Sequence, residues 1–185
     1  GIDLVIGERS GYWISDLDGR RFLDLHLNGG VFNLGHRNPE LVAVLREALD
    51  ELDIGNHHFP SVERALLAEQ LVGLTPGAHY AVFSSGGGEA VDLAVKAARR
   101  ATGKHTIVSV SGAYHGHTGL ALAAGDERAA QAFLSSGVPG EFVHVPFNDV
   151  DALGAVLRSG DVAAVMLESI PATVGFPIPD PAYLP

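Results

Sequence analysis

From residue 79 onward the chain alternates short apolar runs with stretches of helical periodicity. Tyr80–Phe83, Thr106–Val110, Phe142–Val145 and Val162–Leu167 read as strands. Glu89–Ala101 and Asp149–Arg158 read as helices, Ala129–Leu134 as a brief one, and Tyr114–Ala124 as loop leading into a short helix. Strands joined through helices pair in parallel, and the helices cover both faces of the sheet. The expected class is therefore α/β, a three-layer sandwich with a mostly parallel sheet. In such sheets ligands bind beyond the carboxyl ends of the strands. Three informative stretches fall there: 84–88, 111–118 and 168–173.

The first runs Ser84-Ser-Gly-Gly-Gly88 into a helix. Glycines at a strand-to-helix turn let a ligand approach the backbone amides closely. The helix adds free N–H groups and the positive end of its dipole, so the pattern suits a phosphate. A flexible connection without a ligand is the alternative. Neither the Gly-x-Gly-x-x-Gly spacing nor a Gly-Lys-Ser/Thr triplet is present. The second stretch, Ser111-Gly-Ala-Tyr-His-Gly-His-Thr118, carries an aromatic able to stack on a flat ring. His115 and His117 lack further ligands nearby, so no metal is expected. Ser85 and Ser111 lack the leading glycine of a nucleophile elbow. In the third, Val165-Met-Leu-Glu168 ends a strand on a carboxylate. An unpaired buried carboxylate is costly, so Glu168 faces the site or bonds loop amides.

The N-terminal part is organised differently. Gly11–Asp24 reads as a β-hairpin turning at Asp18-Gly19. His26–His36 is irregular and glycine-rich, suited to lining a ligand or to a purely structural loop. Asn38-Pro39 starts a helix that ends near Gly55, and Ser61 caps a second that Pro76-Gly77 stops. The expected division is 1–58 for this segment and 59–185 for the sheet domain. The net charge of −10 disfavours nucleic acid and anionic membranes as partners. With no cysteine, disulfides and thiolate chemistry are excluded. No apolar run reaches bilayer length, and no signal peptide opens the chain, so a cytoplasmic location is the expectation. The chain begins without Met and is expected to be a piece of something longer.

These residues together resemble the class III aminotransferases, which are fold type I pyridoxal-phosphate enzymes. Ser85-Gly-Gly-Gly-Glu-Ala90 is similar to that family's Ser-Gly-Ser/Thr/Ala-Glu-Ala segment, and Ala113-Tyr-His-Gly-His-Thr118 to its aromatic-His-Gly-x-Thr loop. Leu34-Gly-His-Arg-Asn-Pro-Glu40 resembles its Leu-Gly-His-x-x-Pro segment, and Asp16–Asp24 its N-terminal hairpin. Leu167-Glu168, then Gly175-Phe-Pro-Ile-Pro and Tyr183-Leu184, resemble its Glu-Pro-x…Gly…Pro…Tyr-Leu segment. Two positions depart: Gly88 stands where a Ser, Thr or Ala is usual, and Ser169 where Pro is usual.

The resemblance implies pyridoxal 5'-phosphate as cofactor, bound by Ser85, Gly86, Gly87, Gly88, Tyr114, His115 and Glu168. The phosphate would lie on the Gly87 and Gly88 amides and Tyr114 would stack on the pyridine ring. His115 would shape the loop, and Glu168 would sit near the ring oxygen or pair within the site. Gly29, Gly30 and Val31 would line the substrate entrance, with His26, Asn28, Phe32 and His57 as further pocket candidates. The implied reaction moves an amino group between an amine or ω-amino acid and a 2-oxo acid, in a homodimer. Alternatives are a non-catalytic phosphate-ligand or dimerisation half-domain, or a decarboxylase, racemase or aminomutase of the same fold. The family's Schiff-base lysine lies downstream of Glu168, and the only lysines here are Lys96 and Lys104. Neither suits that role, so no catalytic residue is assigned within the chain and it is expected to be inactive alone.

Overall fold

The computed structural model describes residues 3–52, 58–125, 127–133 and 138–184. The chain divides into two compact units, Gly1–Ala65 and Leu66–Pro185.

The first unit holds an antiparallel sheet of β1 (Ile6–Ser10), β2 (Trp13–Asp16) and β3 (Arg21–Leu23), in that order. The hairpin turns where Asp18-Gly19 marks it. Asp16 Oδ1 accepts the Asp18 and Arg20 amides at 3.0 and 2.8 Å, and Gly19 takes φ +83°. β1 escapes a sequence reading, because Gly-Glu-Arg-Ser carries no apolar alternation. Asp24 ties the hairpin to the glycine-rich stretch: it accepts the His26 and Leu27 amides and pairs with buried His36 Nε2 at 2.8 Å. Those contacts, the Leu27 amide foremost, hold its carboxyl below the usual range despite the opposing effect of burial.

That stretch folds into one left-handed turn, α1 (Leu27–Gly30), with φ of 49°, 52°, 67° and 90° along its residues. Asn38 Oδ1 accepts the Glu40 and Leu41 amides and so caps α2 (Pro39–Glu51). Ser61 Oγ accepts the Arg64 amide before α3 (Val62–Leu74). The expected helix end at Gly55 lies outside the described residues.

In the second unit β4 (Thr106–Val110), β5 (Phe142–Val145) and β6 (Val162–Val165) form a parallel sheet in the order β5-β4-β6. Ile107, Val108, Ser109 and Val110 are all buried, as a central strand covered on both faces requires. α4 (Gly87–Thr102) touches α5 (Gly119–Ala124) and β6, and α6 (Glu127–Ala132) follows α5. α7 (Val150–Leu157) is capped by Asp149 and touches β5. The crossover from β4 to β5 and the one back across β4 to β6 step in opposite directions. Right-handed connections therefore put α5 and α7 on opposite faces, giving helix, sheet and helix layers.

One expected strand is absent. Tyr80–Phe83 has no ladder partner among the described residues, and Tyr80 and Val82 are 90% and 73% exposed. Apolar composition makes the segment look like a strand, but a strand exists only through its neighbour's hydrogen bonds. β6 also ends at Val165 rather than Leu167.

Candidate active site

The glycine turn presents free donors. The first bond of α4 runs from the Ala90 N–H to the Gly86 carbonyl, leaving the Gly87 and Gly88 amides ahead of the ladder. No hydrogen bond reaches either amide among the described residues. The turn is shaped from its flanks. Glu89 reaches back to accept the Ser85 amide at 2.7 Å, and the Ser84 hydroxyl donates to the Gly86 carbonyl at 3.0 Å.

The three glycines are there for different reasons. Gly86 has extended backbone (φ −166°) and Gly87 is helical, so neither needs glycine for its conformation. A Cβ on either would meet nothing within 4 Å. Open space above bare amides at a helix start fits an anion that must come close. Gly88 is packed instead: its Cβ would lie 3.0 Å from Thr118 Oγ1. Gly116, at φ +130°, leaves only 2.7 Å between its own Cβ position and Gly88 Cα. The phosphate-type turn and the Tyr114 loop thus pack backbone against backbone.

The loop is fastened to the sheet. Glu168, just past β6, accepts the Tyr114 amide on Oε2 at 3.0 Å. Bonding a loop amide is one of the two roles open to an acid at that strand end. Tyr114 is 49% exposed, and its ring meets that of His117 edge-on at 5.2 Å. His115 Nε2 lies 3.1 Å from the hydroxyl of Ser109, which is wholly buried. The two imidazoles have separate partners, and no group of three or more metal-type side chains occurs among the described residues.

Burial pushes the His115 pKa below its ordinary value; the nearby Glu168 charge opposes this and His144 adds to it. The folded ring therefore stays neutral at a pH where the unfolded one, with a pKa of about 6.5, takes up a proton. The unfolded state binds more protons in that window. Stability is full above about pH 6.5 and declines below it, until the folded ring protonates too. Thermal melts from pH 8 to pH 5 should show this decline, and His115→Gln should flatten it. An unchanged slope in His115→Gln would contradict the assignment.

Ser85, Gly86, Gly87, Gly88, Tyr114, His115 and Glu168 thus lie in one unit, joined through the Gly88–Gly116 packing and the Glu168 bond. Gly29, Gly30 and Val31 belong to the other unit, the two glycines on the left-handed turn and Val31 just after it with right-handed backbone. There His26 Nδ1 accepts the Gly29 amide at 3.3 Å, and the Phe32 ring lies 4.6 Å from that of His36. His57 lies outside the described residues. Sequence reasoning missed Ser109, Asp92 and His144. Asp92 Oδ1 accepts the Ala121 amide at 2.7 Å and His144 Nε2 donates to the Ala124 carbonyl at 3.2 Å. A lone serine in the apolar run Thr-Ile-Val-Ser-Val was the available signal for the first.

Helix amides open to an anion and an accessible aromatic on the loop packed against them, in a unit built on a parallel sheet, suit a cofactor that carries a phosphate and a flat ring, as the resemblance to the fold type I pyridoxal-phosphate enzymes implies. Comparison with known proteins narrows this resemblance. The family model for Aminotransferase class-III matches residues 2–185, and the chain belongs to that family. It is 56% identical over 180 residues to an uncharacterized aminotransferase of Archaeoglobus fulgidus, covering 97% of this chain and 42% of that protein. It is 37% identical over 192 residues to a glutamate-1-semialdehyde 2,1-aminomutase of Cutibacterium acnes, covering 99% and 43%. Among solved structures it is similar to a taurine:2-oxoglutarate aminotransferase from Bifidobacterium kashiwanohense in complex with pyridoxal phosphate and glutamate. That match has a TM-score of 0.85 and 29% identity, over 100% of this chain and 47% of the other. An omega-transaminase from Sphaerobacter thermophilus matches with a TM-score of 0.81 and 29% identity, over 98% and 44%. The chain therefore spans less than half the length of these relatives. Pyridoxal 5'-phosphate is the family's cofactor, and the open glycine turn fits its phosphate.

Proposed function

We propose that the chain is the N-terminal portion of a pyridoxal-phosphate-dependent aminotransferase, moving an amino group between an amine or ω-amino acid and a 2-oxo acid. The observation that carries this reading is the pair of bare amides at Gly87 and Gly88, packed through Gly116 against the loop that presents Tyr114. The aminotransferase relatives support it.

The cofactor, when bound, supplies an electron sink in its pyridine ring. The protein's part is placement. Gly87 and Gly88 N–H groups and the α4 dipole hold the doubly charged phosphate. Ser85 and Gly86 shape the turn beside them. Tyr114, its amide held by the Glu168 carboxylate, would stack on the cofactor's ring. His115, neutral, anchors the loop without adding a charge. Gly29, Gly30 and Val31 line the substrate entrance in this reading.

The lysine that such chemistry requires comes from outside these residues in our reading. Lys96 is exposed in the middle of α4, and Lys104 precedes β4, at the opposite end of the strand from the site. The working protein is proposed to be a cytoplasmic homodimer. The exposed apolar side chains of α2, among them Leu41, Val44, Leu45 and Leu49, suit burial against further protein. No helix among the described residues is long and apolar enough to cross a membrane.

The 37% identity to an aminomutase keeps one second reading, transfer of the amino group within a single molecule. The acceptor requirement separates the two. The protein from the full reading frame should turn over amines only when a 2-oxo acid is supplied, and the 185-residue chain alone should not turn over at all. Product formation without any acceptor would favour the mutase, and turnover by the short chain would contradict the placement of the lysine.

A further inference from the structure

Ser109 is a hydroxyl where the sheet should have none. It sits in the central strand, wholly buried, between Val108 and Val110. A buried hydroxyl without a partner costs stability, so its one side-chain bond among the described residues, to His115 Nε2 at 3.1 Å, is the reason it is tolerated. Its register partner on β5 is His144, the other polar residue on adjacent strands at this level. His144 bonds the Ala124 carbonyl at 3.2 Å. The two neighbouring side chains therefore fasten the two ends of one segment, from His115 to the end of α5. Asp92 of α4 holds its middle through the Ala121 amide. Tyr114 immediately precedes this segment. Glu168 accepts the Tyr114 amide, and Ser109 bonds the side chain of the next residue, His115.

We propose that Ser109 is a positioning residue, holding the His115 ring and through it the angle at which Tyr114 meets the cofactor. This rests on the reading that Tyr114 stacks on pyridoxal phosphate. Ser109 itself touches no ligand. The groups facing the His115 ring are Ser109 on β4, His144 on β5 and Glu168 after β6, with Tyr114 its neighbour on the loop.

The test uses the protein from the full reading frame. Ser109→Ala removes the hydroxyl. Ser109→Thr keeps it, and Ser109→Val matches threonine in shape without it, so the last pair isolates the hydroxyl from packing. Pyridoxal phosphate is titrated against each variant, with inorganic phosphate as the ringless probe, and the visible circular dichroism of the bound cofactor reports the ring's setting. Ser109→Ala and Ser109→Val should bind pyridoxal phosphate more weakly, by up to about tenfold, since the worth of the one hydrogen bond removed is the ceiling for an effect passed on through His115. Their dichroism should change, inorganic phosphate binding should stay as in the wild type, and Ser109→Thr should restore both signals. Equal binding and dichroism in Ser109→Thr and Ser109→Val would overturn the proposal. Tyr114→Ala in the same assay tests the underlying reading. If it leaves pyridoxal phosphate binding unchanged, the stacking role fails. If it weakens binding while the Ser109 variants do not, only the role of Ser109 fails.

Discussion

Replacing Gly116 with alanine should destabilise the second unit by about 2–4 kcal/mol, combining a strained backbone with an overpacked contact. Gly116 takes φ +130°, a region L side chains rarely enter. Its Cβ would sit 2.7 Å from Gly88 Cα and 3.2 Å from the Ala121 methyl. Neither neighbour can swing aside. One is the backbone of the α4 start and the other a fully buried residue of α5. Relief requires the loop to lift off the turn, which also separates Tyr114 from the Gly87 and Gly88 amides. Denaturant unfolding of the full-length protein should show the loss, and cofactor binding should fall with it. Wild-type stability in Gly116→Ala would mean that the two loops are not in contact as described.

Gly87 predicts the reverse pattern. It has helical backbone and open space above it, so the new Cβ of Gly87→Val meets nothing within 4 Å among the described residues beyond its chain neighbours and the backbone of α4. Stability should change by less than about 1 kcal/mol, the scale of helix propensity alone. The side chain instead fills the space in which an anion approaches the amides. Losing one or two charge-assisted hydrogen bonds should weaken phosphate-bearing ligands by roughly 30- to 1,000-fold. The two substitutions, on loops packed against each other, thus separate a glycine needed for packing from one needed for binding. The space around each, not the residue type, decides which.

Much of this architecture was legible in the sequence because it depends on local chemistry. Thr106–Val110 and Phe142–Val145 are β-branched or apolar runs bounded by turn residues, and both are strands over those same residues. Asn38, Ser61 and Asp149 announce their helices through the caps they form. Tyr80–Phe83 shows the limit: its composition is that of a strand, but pairing is a property of the partner. β1 shows the converse, since Gly-Glu-Arg-Ser is a strand only because β2 lies beside it. The left-handed turn at Leu27–Gly30 was visible as glycine content, not as four successive positive φ angles.

The site was legible in the same uneven way. Tyr114 and Glu168 follow strand ends, so topology brought them forward, whereas the glycine turn was legible from its glycines ahead of a helix even though no strand directly precedes it among the described residues. That Glu168 would hold the Tyr114 amide is a three-dimensional fact, spanning 54 residues of chain. The reason for Gly88 was also hidden. The departure from the family's usual residue coincides with the Thr118 side chain pressing on that position at 3.0 Å. Ser109 and His144 sit in strands whose pattern reads as plain core, and only the register between β4 and β5 makes them a pair.

The most direct test is a pyridoxal phosphate titration of the full-length protein and its Gly87→Val variant side by side, monitored by visible absorbance. The wild type should bind the cofactor and develop a visible band, which an amine donor discharges and a 2-oxo acid restores. Gly87→Val should melt like the wild type yet bind far more weakly. Equal affinity in the two proteins, or no band in the wild type, would contradict the placement of the phosphate on the Gly87 and Gly88 amides.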